Sequence, residues 1–337
     1  MRPRSGHFAE RFTPSTRFCR RLKTRQIRDR KPCRIDAFLT IARLAFYVSL
    51  SYKIPRSHLG RGVSMPYRHA HYFVGFVLLI IMGGFWASYF SRVGGPMPVA
   101  FHVHAVTSIS WLLLLIAQHV AIHRRANALH KQMGRASFAL FPLLILGFTM
   151  IINVSAQRYA AAESPFIVHN GPAFGIGMVV AIAAYLTLFF QALRTRRNVR
   201  LHAGYMLATP MILFESPFGR LIGDYFPWMN IIGSEGVHAV QDNIVISDAI
   251  MIALAMTLYF MDRKHGAPWL VASFFMALQA VTMWFAPFIP AVGDFFGAYA
   301  AIPPAATMMA GVALGIAAAW FGWEAGKAPV KRTPQPA

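Results

Sequence analysis

The feature that most constrains this chain is a series of apolar runs, each about 20 residues long, the length that a helix needs to cross a bilayer. In lipid every backbone polar group must find its partner inside the segment, so such runs predict α-helices. Only 13% of the 337 residues are charged, about half the share found in soluble domains. This composition excludes a soluble globular enzyme and a disordered chain. Two cysteines, Cys19 and Cys33, are too few for a disulfide scaffold.

Eight apolar runs are long enough to predict membrane-spanning helices. Their approximate bounds are 71–91, 98–120, 135–156, 172–193, 201–222, 243–261, 267–288 and 303–323. With the N-terminus inside, the cytoplasmic loops and the C-terminal tail hold 13 Lys and Arg residues, whereas the outer loops hold three. Because Lys and Arg resist translocation, this asymmetry predicts an all-α, polytopic transmembrane helical bundle of about eight spans with both termini cytoplasmic. The bundle covers residues 65–325, and a short cytoplasmic tail covers 326–337.

The net charge of +21 lies mostly in residues 1–64, which carry 16 Lys and Arg against three acidic residues. This basic tail lacks the interleaved aromatic residues of a nucleic-acid stacking surface, so we expect no nucleic-acid partner. We expect the tail to be disordered, or translation to start at Met65. An amphipathic surface helix over residues 36–52 is an alternative. Basic segments of this kind predict contact with the bilayer, through anionic lipid headgroups at the cytoplasmic loops.

A short basic pattern occurs twice at the predicted cytoplasmic face, at an offset of 72 residues. Its members are Arg124, Arg125, Leu129 and His130 in the first copy, and Arg196, Arg197, Leu201 and His202 in the second. One interpretation is a duplicated helical hairpin that presents titratable groups at the membrane surface. The other is that the arginines fix topology and the histidines tolerate the headgroup zone.

Two stretches of the chain carry a resemblance to a known family. The first contains Phe101-His102-Val103-His104, Trp111, Gln118 and the segment 129–135; the second contains the segment 201–209, Pro217 and Arg220. They resemble a bacterial family of uncharacterised, predicted multi-pass inner-membrane proteins. The resemblance covers about residues 66–290 and implies an integral protein of the bacterial inner membrane, without implying a reaction. In the second copy of the basic pattern, Ala203 and Gly204 stand where the family leads us to expect basic residues.

Ionisable residues inside predicted spans are costly and are therefore candidate functional groups. At a rise of about 1.5 Å per residue, Glu215 and Asp248 lie about 9 Å from the outer face, and His102 and His104 lie within about 10 Å of it. Arg220 is a candidate ion partner for Glu215. These residues predict a ligand or proton site in the outer half of the bundle, which binds or translocates a small ligand or cofactor.

Two other interpretations use some of the same residues. A membrane-embedded metal-dependent enzyme would take its ligands from His102, His104, His238, Asp242 and Asp248. A structural membrane scaffold would use the buried polar groups only for packing. The sequence has no G-x-S-x-G, H-E-x-x-H or P-loop motif that would name a catalytic residue.

Thirteen histidines also make haem b a candidate cofactor, because a bis-histidine haem needs two histidines at matched depth on facing helices. The outer candidates are His102 or His104 with His169. The inner candidates are His69, His71, His119, His123, His130 and His202. Most of these positions lie at the predicted membrane edge, which favours an interfacial role over haem ligation.

Overall fold

The computed structural model describes residues 66–327, and within that range it contains nine α-helices and no strand. The helices are α1 (Ala70–Gly84), α2 (Val99–His123), α3 (Asn127–Ala160), α4 (Pro165–Arg194), α5 (Val199–Tyr225), α6 (Ala239–Met261), α7 (Ala267–Phe285), α8 (Pro290–Ala300) and α9 (Pro304–Ala325). The prediction of an all-α fold is confirmed for this range. The basic tail 1–64, with the predicted surface helix and start site, and the segment 328–337 lie outside the described residues.

Six of these helices are long and apolar enough to cross a membrane: α2, α3, α4, α6, α7 and α9. The fold is thus a polytopic bundle of apolar helices, consistent with an integral membrane protein. Each of the eight predicted runs contains a helix, but two of them fall short as candidate spans. Helix α1 has only 15 residues, and α5 carries Arg200, Glu215, Arg220 and Asp224 among its 27.

Several element boundaries differ from the sequence prediction, and one short helix was not predicted; helix α4, for example, starts at Pro165 rather than at 172. Helix α1 ends at Gly84, and the chain continues through turns and a short 3₁₀ segment, Phe90–Arg92. Helix α3 starts at Asn127, eight residues before the predicted run, because nothing in that polar stretch breaks a helix. The predicted loop before the last span contains α8, whose first residue, Pro290, fits the first turn of a helix.

Helices α4 and α5 occupy the centre of the bundle. Helix α4 packs against α3, α5, α7 and α9, and α5 packs against α1, α4, α6 and α7. Helix α2 packs mainly on α3, and α6 packs mainly on α7 and α5. The bundle therefore has two sides, one built by α2, α3 and α9 and the other by α5, α6 and α7.

The main apolar core holds a set of fully buried aromatic rings: Trp111, Phe141, Phe148, Tyr185 and Phe189. The two polar groups of these rings, the Trp111 indole N–H and the Tyr185 hydroxyl, both bond to Thr209 on α5. The Trp111 indole donates to Thr209 Oγ1 (2.9 Å), and the Tyr185 hydroxyl donates to the Thr209 carbonyl oxygen (2.9 Å). Since Pro210 has no N–H to offer the Met206 carbonyl, the Thr209 hydroxyl donates to that oxygen instead (2.9 Å).

Small residues bring α9 close to α3, as the spacing of Gly311 and Gly315 suggests. A Cβ atom at Gly315 would lie 2.7 Å from the Cα atom of Pro142, and one at Gly311 would lie 2.5 Å from the Thr149 hydroxyl. Both distances are too short for a larger residue, so these glycines serve close helix packing.

Candidate functional site

The most polar part of the buried interior lies between α5, α6 and α7. Glu215 on α5 is 6% exposed and Asp248 on α6 is 1% exposed, so both carboxyl groups are buried. The Gln279 side-chain amide on α7 donates to Glu215 Oε2 (3.1 Å). Glu215 and Asp248 lie close enough to interact electrostatically. Three helices thus contribute to one cluster, which we call the carboxylate site: Glu215, Asp248 and Gln279.

The two carboxyl groups lie at matched heights along their helices. Glu215 lies ten residues before the end of α5 at Tyr225, or about 15 Å along the axis. Asp248 lies nine residues after the start of α6 at Ala239, or about 14 Å. Measured from these helix ends, both groups are deeper than the 9 Å expected from the sequence. Each group therefore lies in the middle part of its own helix.

Arg220 supplies the cationic group nearest to the site. It interacts electrostatically with Glu215 on one side and with Asp224 on the other. Its guanidinium group lies over the ring of Phe85, 5.1 Å from the centroid. No ion pair within 4.0 Å joins Arg220 to a carboxylate in the part of the chain that the structure describes. Arg220 therefore faces the site without neutralising either carboxyl group by direct contact.

One carboxyl oxygen of Asp248 has no hydrogen-bond partner among residues 66–327, although the side chain is almost fully buried. Its Oδ2 atom is enclosed and makes no hydrogen bond to any residue in the range 66–327. Around it, α5 and α6 approach closely because glycines of α5 face polar residues of α6. Gly223 faces the Asn243 amide, and Gly219 faces the Ser247 hydroxyl. A buried carboxyl oxygen without a partner is costly, and a proton on the carboxyl group would remove the cost of burying its charge.

The predicted site histidines lie elsewhere. A hydrogen bond joins His102 Nδ1 to the Tyr89 hydroxyl (3.1 Å), and the His104 ring packs 5.2 Å from the ring of Phe148. Within residues 66–327, no hydrogen bond or ion pair joins either histidine to Glu215 or Asp248. As their spacing on α2 suggests, the two rings point to different neighbours. The structure brings together Glu215, Asp248 and Arg220 from the predicted set, and it leaves both histidines outside.

The candidate metal ligands are dispersed among separate contacts. Asp242 accepts hydrogen bonds from the Ser234 backbone N–H (2.7 Å) and hydroxyl (2.8 Å), so it orders the loop before α6. The His238 ring stacks on Phe288, with 5.5 Å between centroids. The described part of the chain contains no group of three or more His, Cys, Asp or Glu side chains arranged to hold a metal ion. The geometry therefore gives the metal-dependent alternative no support.

Several of the candidate haem ligands contact another histidine. His169 lies 4.8 Å from His238, edge to face, rather than facing His102 or His104. At the other end of the bundle, His119 lies 5.1 Å from His71 and 4.1 Å from His123. A macrocycle between two axial ligands would have to separate such rings. The histidines in these contacts therefore do not stand on opposite sides of a macrocycle-sized gap.

The two copies of the basic pattern differ in their contacts. In the second copy, Arg196 donates to the carbonyl oxygens of Leu193 (3.0 Å) and Trp323 (2.7 Å), and its guanidinium group lies over the Trp323 ring. It therefore ties α4 to α9. Arg124, Arg125 and Arg197 are exposed.

The histidines of the pattern lie near each other and bond to the backbone or to nearby side chains. His202 Nδ1 bonds the Ala192 carbonyl oxygen (2.8 Å), and His202 interacts electrostatically with His130. The amide of Gln118, oriented to satisfy its neighbours, donates to the His130 carbonyl oxygen (3.1 Å) and accepts from the Gly134 N–H (2.9 Å). These contacts join α2, α3 and α5 at one end of the bundle.

At the junction between α6 and α7, one carboxylate has two side-chain partners, an arginine and a histidine. Asp262 pairs with Arg200 (2.9 Å) and with His265 (3.0 Å). Partial burial alone would raise the pKa of Asp262, but the hydrogen bonds and charges of His265 and Arg200 outweigh it, and the pKa lies below its usual value of 3.8. Asp262 is thus held as a charged group, in contrast to the carboxylate site.

Sequence reasoning missed Gln279 and the buried amides of Asn170 and Gln241. The amides of Asn170 and Gln241 contact each other at 2.5 Å between α4 and α6. Gln279 stands alone among apolar residues in the run that forms α7, and this isolated polar residue could have indicated a buried polar contact. The pairing of the other two depends on how α4 and α6 pack, which local patterns do not reveal.

No protein-family model, curated protein or solved structure matches this chain.

Proposed function

We propose that this chain is an integral membrane protein that binds or translocates a small ligand together with a proton at the carboxylate site. In this proposal Glu215 and Asp248 carry the proton, Gln279 orients Glu215, and Arg220 balances their charge. The resemblance noted above favours the bacterial inner membrane as its location. No catalytic residue is assigned.

The observation that carries the proposal is the pairing of two buried carboxyl groups, one of which has an oxygen without a partner. Two carboxylates at close range repel each other, and a shared proton removes that repulsion. A purely structural polar cluster has no need of such a pair, because amides or hydroxyls satisfy each other without net charge. Titratable carboxyl groups deep in a membrane protein are typical of proton relays.

We further propose eight spans with both termini cytoplasmic. Helix α5 supports this count because it is surrounded by α1, α4, α6 and α7. A helix enclosed in that way tolerates charged residues, since protein rather than lipid faces them. Helix α1 and the turns after it extend the first crossing from Ala70 to Arg92. The 13-to-three distribution of Lys and Arg then gives the orientation.

The test uses the full chain reconstituted into lipid vesicles that contain a pH-sensitive dye. An imposed pH gradient should decay faster through the wild-type protein than through the double variant Glu215→Gln, Asp248→Asn. The matched control is Glu163→Gln, because Glu163 is an exposed loop carboxylate paired with Arg158 (2.6 Å). Infrared difference spectra should show a protonated carboxyl band in the wild type and in the control. Equal proton flux and equal spectra in all three proteins would overturn the proposal.

Exposed arginines at one end of the bundle favour contact with anionic lipid as a second role. Arg124, Arg125 and Arg197 make no ion pair with a carboxylate in the described range. Each basic residue near an anionic surface contributes about 1 kcal/mol. Replacing Arg124 and Arg125 by Gln should therefore reduce the retention of phosphatidylglycerol by the purified protein. Unchanged retention would remove lipid recognition as a role of the pattern.

A further inference from the structure

A cavity of about 230 Å³ opens where α6 begins and α7 ends. Its lining residues are Ser234, His238, Gln241, Trp284 and Phe288. We call it the ring cavity. It is separate from the carboxylate site, which lies deeper between the same two helices.

The walls of the ring cavity combine aromatic faces with polar ring nitrogens. His238 lies parallel to Phe288, with 9° between the ring planes, and His169 supports it edge-on. The Ser234 hydroxyl is already used, since it donates to Asp242. The ring nitrogens of His238 and Trp284 make no hydrogen bond to any residue in the range 66–327. A ligand that fits this cavity therefore has a flat ring and hydrogen-bond acceptors at its edge.

The size of the ring cavity limits the ligand to one small ring system. Pockets for drug-sized molecules usually measure about 300–1,000 Å³, so the volume here is below that range. The surrounding surface is apolar: the exposed fractions of Phe285, Phe288 and Ile289 are 53%, 58% and 46%. In a bilayer such a rim faces lipid, so an apolar tail attached to the ring gains contact there.

Helix α6 connects the ring cavity to the carboxylate site. Gln241 and Asp248 are seven residues apart, which places them on the same face of α6, about 10 Å apart along its axis. Both are buried, with exposed fractions of 2% and 1%. A ligand in the cavity is therefore two helical turns from a carboxyl oxygen that has no partner.

We propose that the ring cavity binds the head ring of a lipid-soluble quinone, with the isoprenoid tail against the apolar rim. His238 and Trp284 donate hydrogen bonds to the ring carbonyl oxygens, and the faces of Trp284 and Phe288 cover the ring. The binding site stands on its own geometry, whereas its use of the carboxylate pair rests on the proposed function. Only binding is proposed, with no electron transfer.

The test titrates a ubiquinone that has a short isoprenoid tail into the detergent-purified full chain, and follows tryptophan fluorescence. The wild type should show saturable quenching. His238→Phe keeps the ring stack but removes the donor, and Trp284→Phe removes both a donor and the nearest fluorophore. Each should weaken binding about tenfold, the effect of one hydrogen bond of about 1.4 kcal/mol. Trp228→Phe is the matched control, because Trp228 is 54% exposed and does not line the cavity.

Two results would overturn the inference: no saturable quenching by the wild type, or equal affinity in all four proteins. Failure of the inference and failure of the proposed function remain distinguishable. The Glu215→Gln, Asp248→Asn double variant should still bind the quinone while losing the proton flux. Quinone binding without any wild-type proton flux would contradict only the proposed function. Proton flux without quinone binding would contradict only the ring cavity.

Discussion

Two buried polar residues, Asn153 on α3 and Asp248 on α6, show how differently this fold treats polar groups in its interior. Asn153 Oδ1 accepts hydrogen bonds from the hydroxyls of Tyr299 (2.6 Å) and Thr307 (2.9 Å), and Asn153 Nδ2 donates to the Pro304 carbonyl oxygen (3.4 Å). Asp248 is more deeply buried, yet its Oδ2 atom has no partner in the described range.

The difference agrees with a structural role for Asn153 and with the role that we propose for Asp248. The amide of Asn153 carries no charge, and it holds the ends of α8 and α9 against α3. A polar group chosen for stability is expected to be satisfied in this way. Asp248 contributes nothing comparable to packing, and its carboxyl group interacts with a second one at Glu215. Buried carboxyl groups with perturbed surroundings are candidates for functional groups, and this pair is the basis of the proposed function.

The largest loss of stability is expected when the hydrogen bonds of Asn153 are removed. Asn153→Ala leaves the Tyr299 and Thr307 hydroxyls without their shared acceptor, and it should lower the free energy of unfolding by about 2–3 kcal/mol. Unfolding by denaturing detergent in mixed micelles measures the loss. Thr257→Ala is the control, because Thr257 is exposed and its hydroxyl bonds only to its own helix, at the Ala253 carbonyl oxygen. A loss no larger than that of the control would show that Asn153 is not a structural anchor.

A smaller effect is expected at a second satisfied group, Thr209. Thr209→Val preserves the shape of the side chain but removes the acceptor of the Trp111 indole and the donor to the Met206 carbonyl. The free energy of unfolding should fall by about 1–2 kcal/mol. The fluorescence of Trp111 should also shift, since its N–H loses a partner. An unchanged unfolding curve would mean that the cluster around Pro210 has an alternative bonding pattern.

Asp248→Asn tests the buried carboxyl group whose oxygen has no partner in the described range, and this substitution should have little effect on stability. Removing a buried ionisable group that lacks partners is neutral or stabilising, by about 0–1 kcal/mol. The same variant should reduce proton flux through vesicles, which Asn153→Ala should not do after correction for the amount of folded protein. If Asp248→Asn destabilises the protein as much as Asn153→Ala, the two residues have the same structural role and the comparison fails.

The sequence predicted the helical class and most of the helices because apolar runs report directly on burial in lipid. It also placed Glu215 and Asp248 at matched depth, since helix rise converts residue number into height. It did not predict which side chains meet. The helix rise places His102 and His104 at a depth similar to that of Glu215 and Asp248. Their side chains instead face Tyr89 and Phe148, because the rotation of α2 depends on its packing against α3.

The partners of the carboxylates illustrate the same limit. Gln279 approaches Glu215 only because α7 packs against α5, and no local pattern encodes that contact. The short helix α8 was missed because 11 residues fall below the length of a spanning run. Its position depends on Phe296, which is buried against α3 and α4.

The smallest loss of stability is expected at Asp262, a carboxylate with two side-chain partners that can be compared with Asp248. Burial alone would raise the pKa of Asp262, but the hydrogen bonds and charges of His265 and Arg200 together lower the pKa below its usual value of 3.8. The pairing therefore stabilises the fold at a pH above the unfolded-state pKa, and this stabilisation is lost as the pH falls through the lower folded-state pKa. Because Asp262 is about one-third exposed, solvent limits the contribution to below about 1 kcal/mol. Asp262→Asn should therefore remove a small stabilisation at neutral pH and none in strong acid.

A double-mutant cycle of Asp262→Asn with Arg200→Gln, measured by unfolding at neutral pH and at a pH well below the lowered folded-state pKa of Asp262, isolates the pairing. The coupling between the two substitutions should be present at neutral pH and absent in acid. A coupling that persists in acid would mean that the contact acts through packing rather than charge. Asp248 should show the opposite behaviour, because it has no cation in direct contact: its substitution should matter for proton flux and little for stability at either pH. Asp262 at the end of α6 is paired with a cation, whereas Asp248 in the middle of the same helix has no such pair within residues 66–327. The two pH values of the cycle therefore compare a carboxylate that stabilises the fold with the one that we propose to exchange a proton.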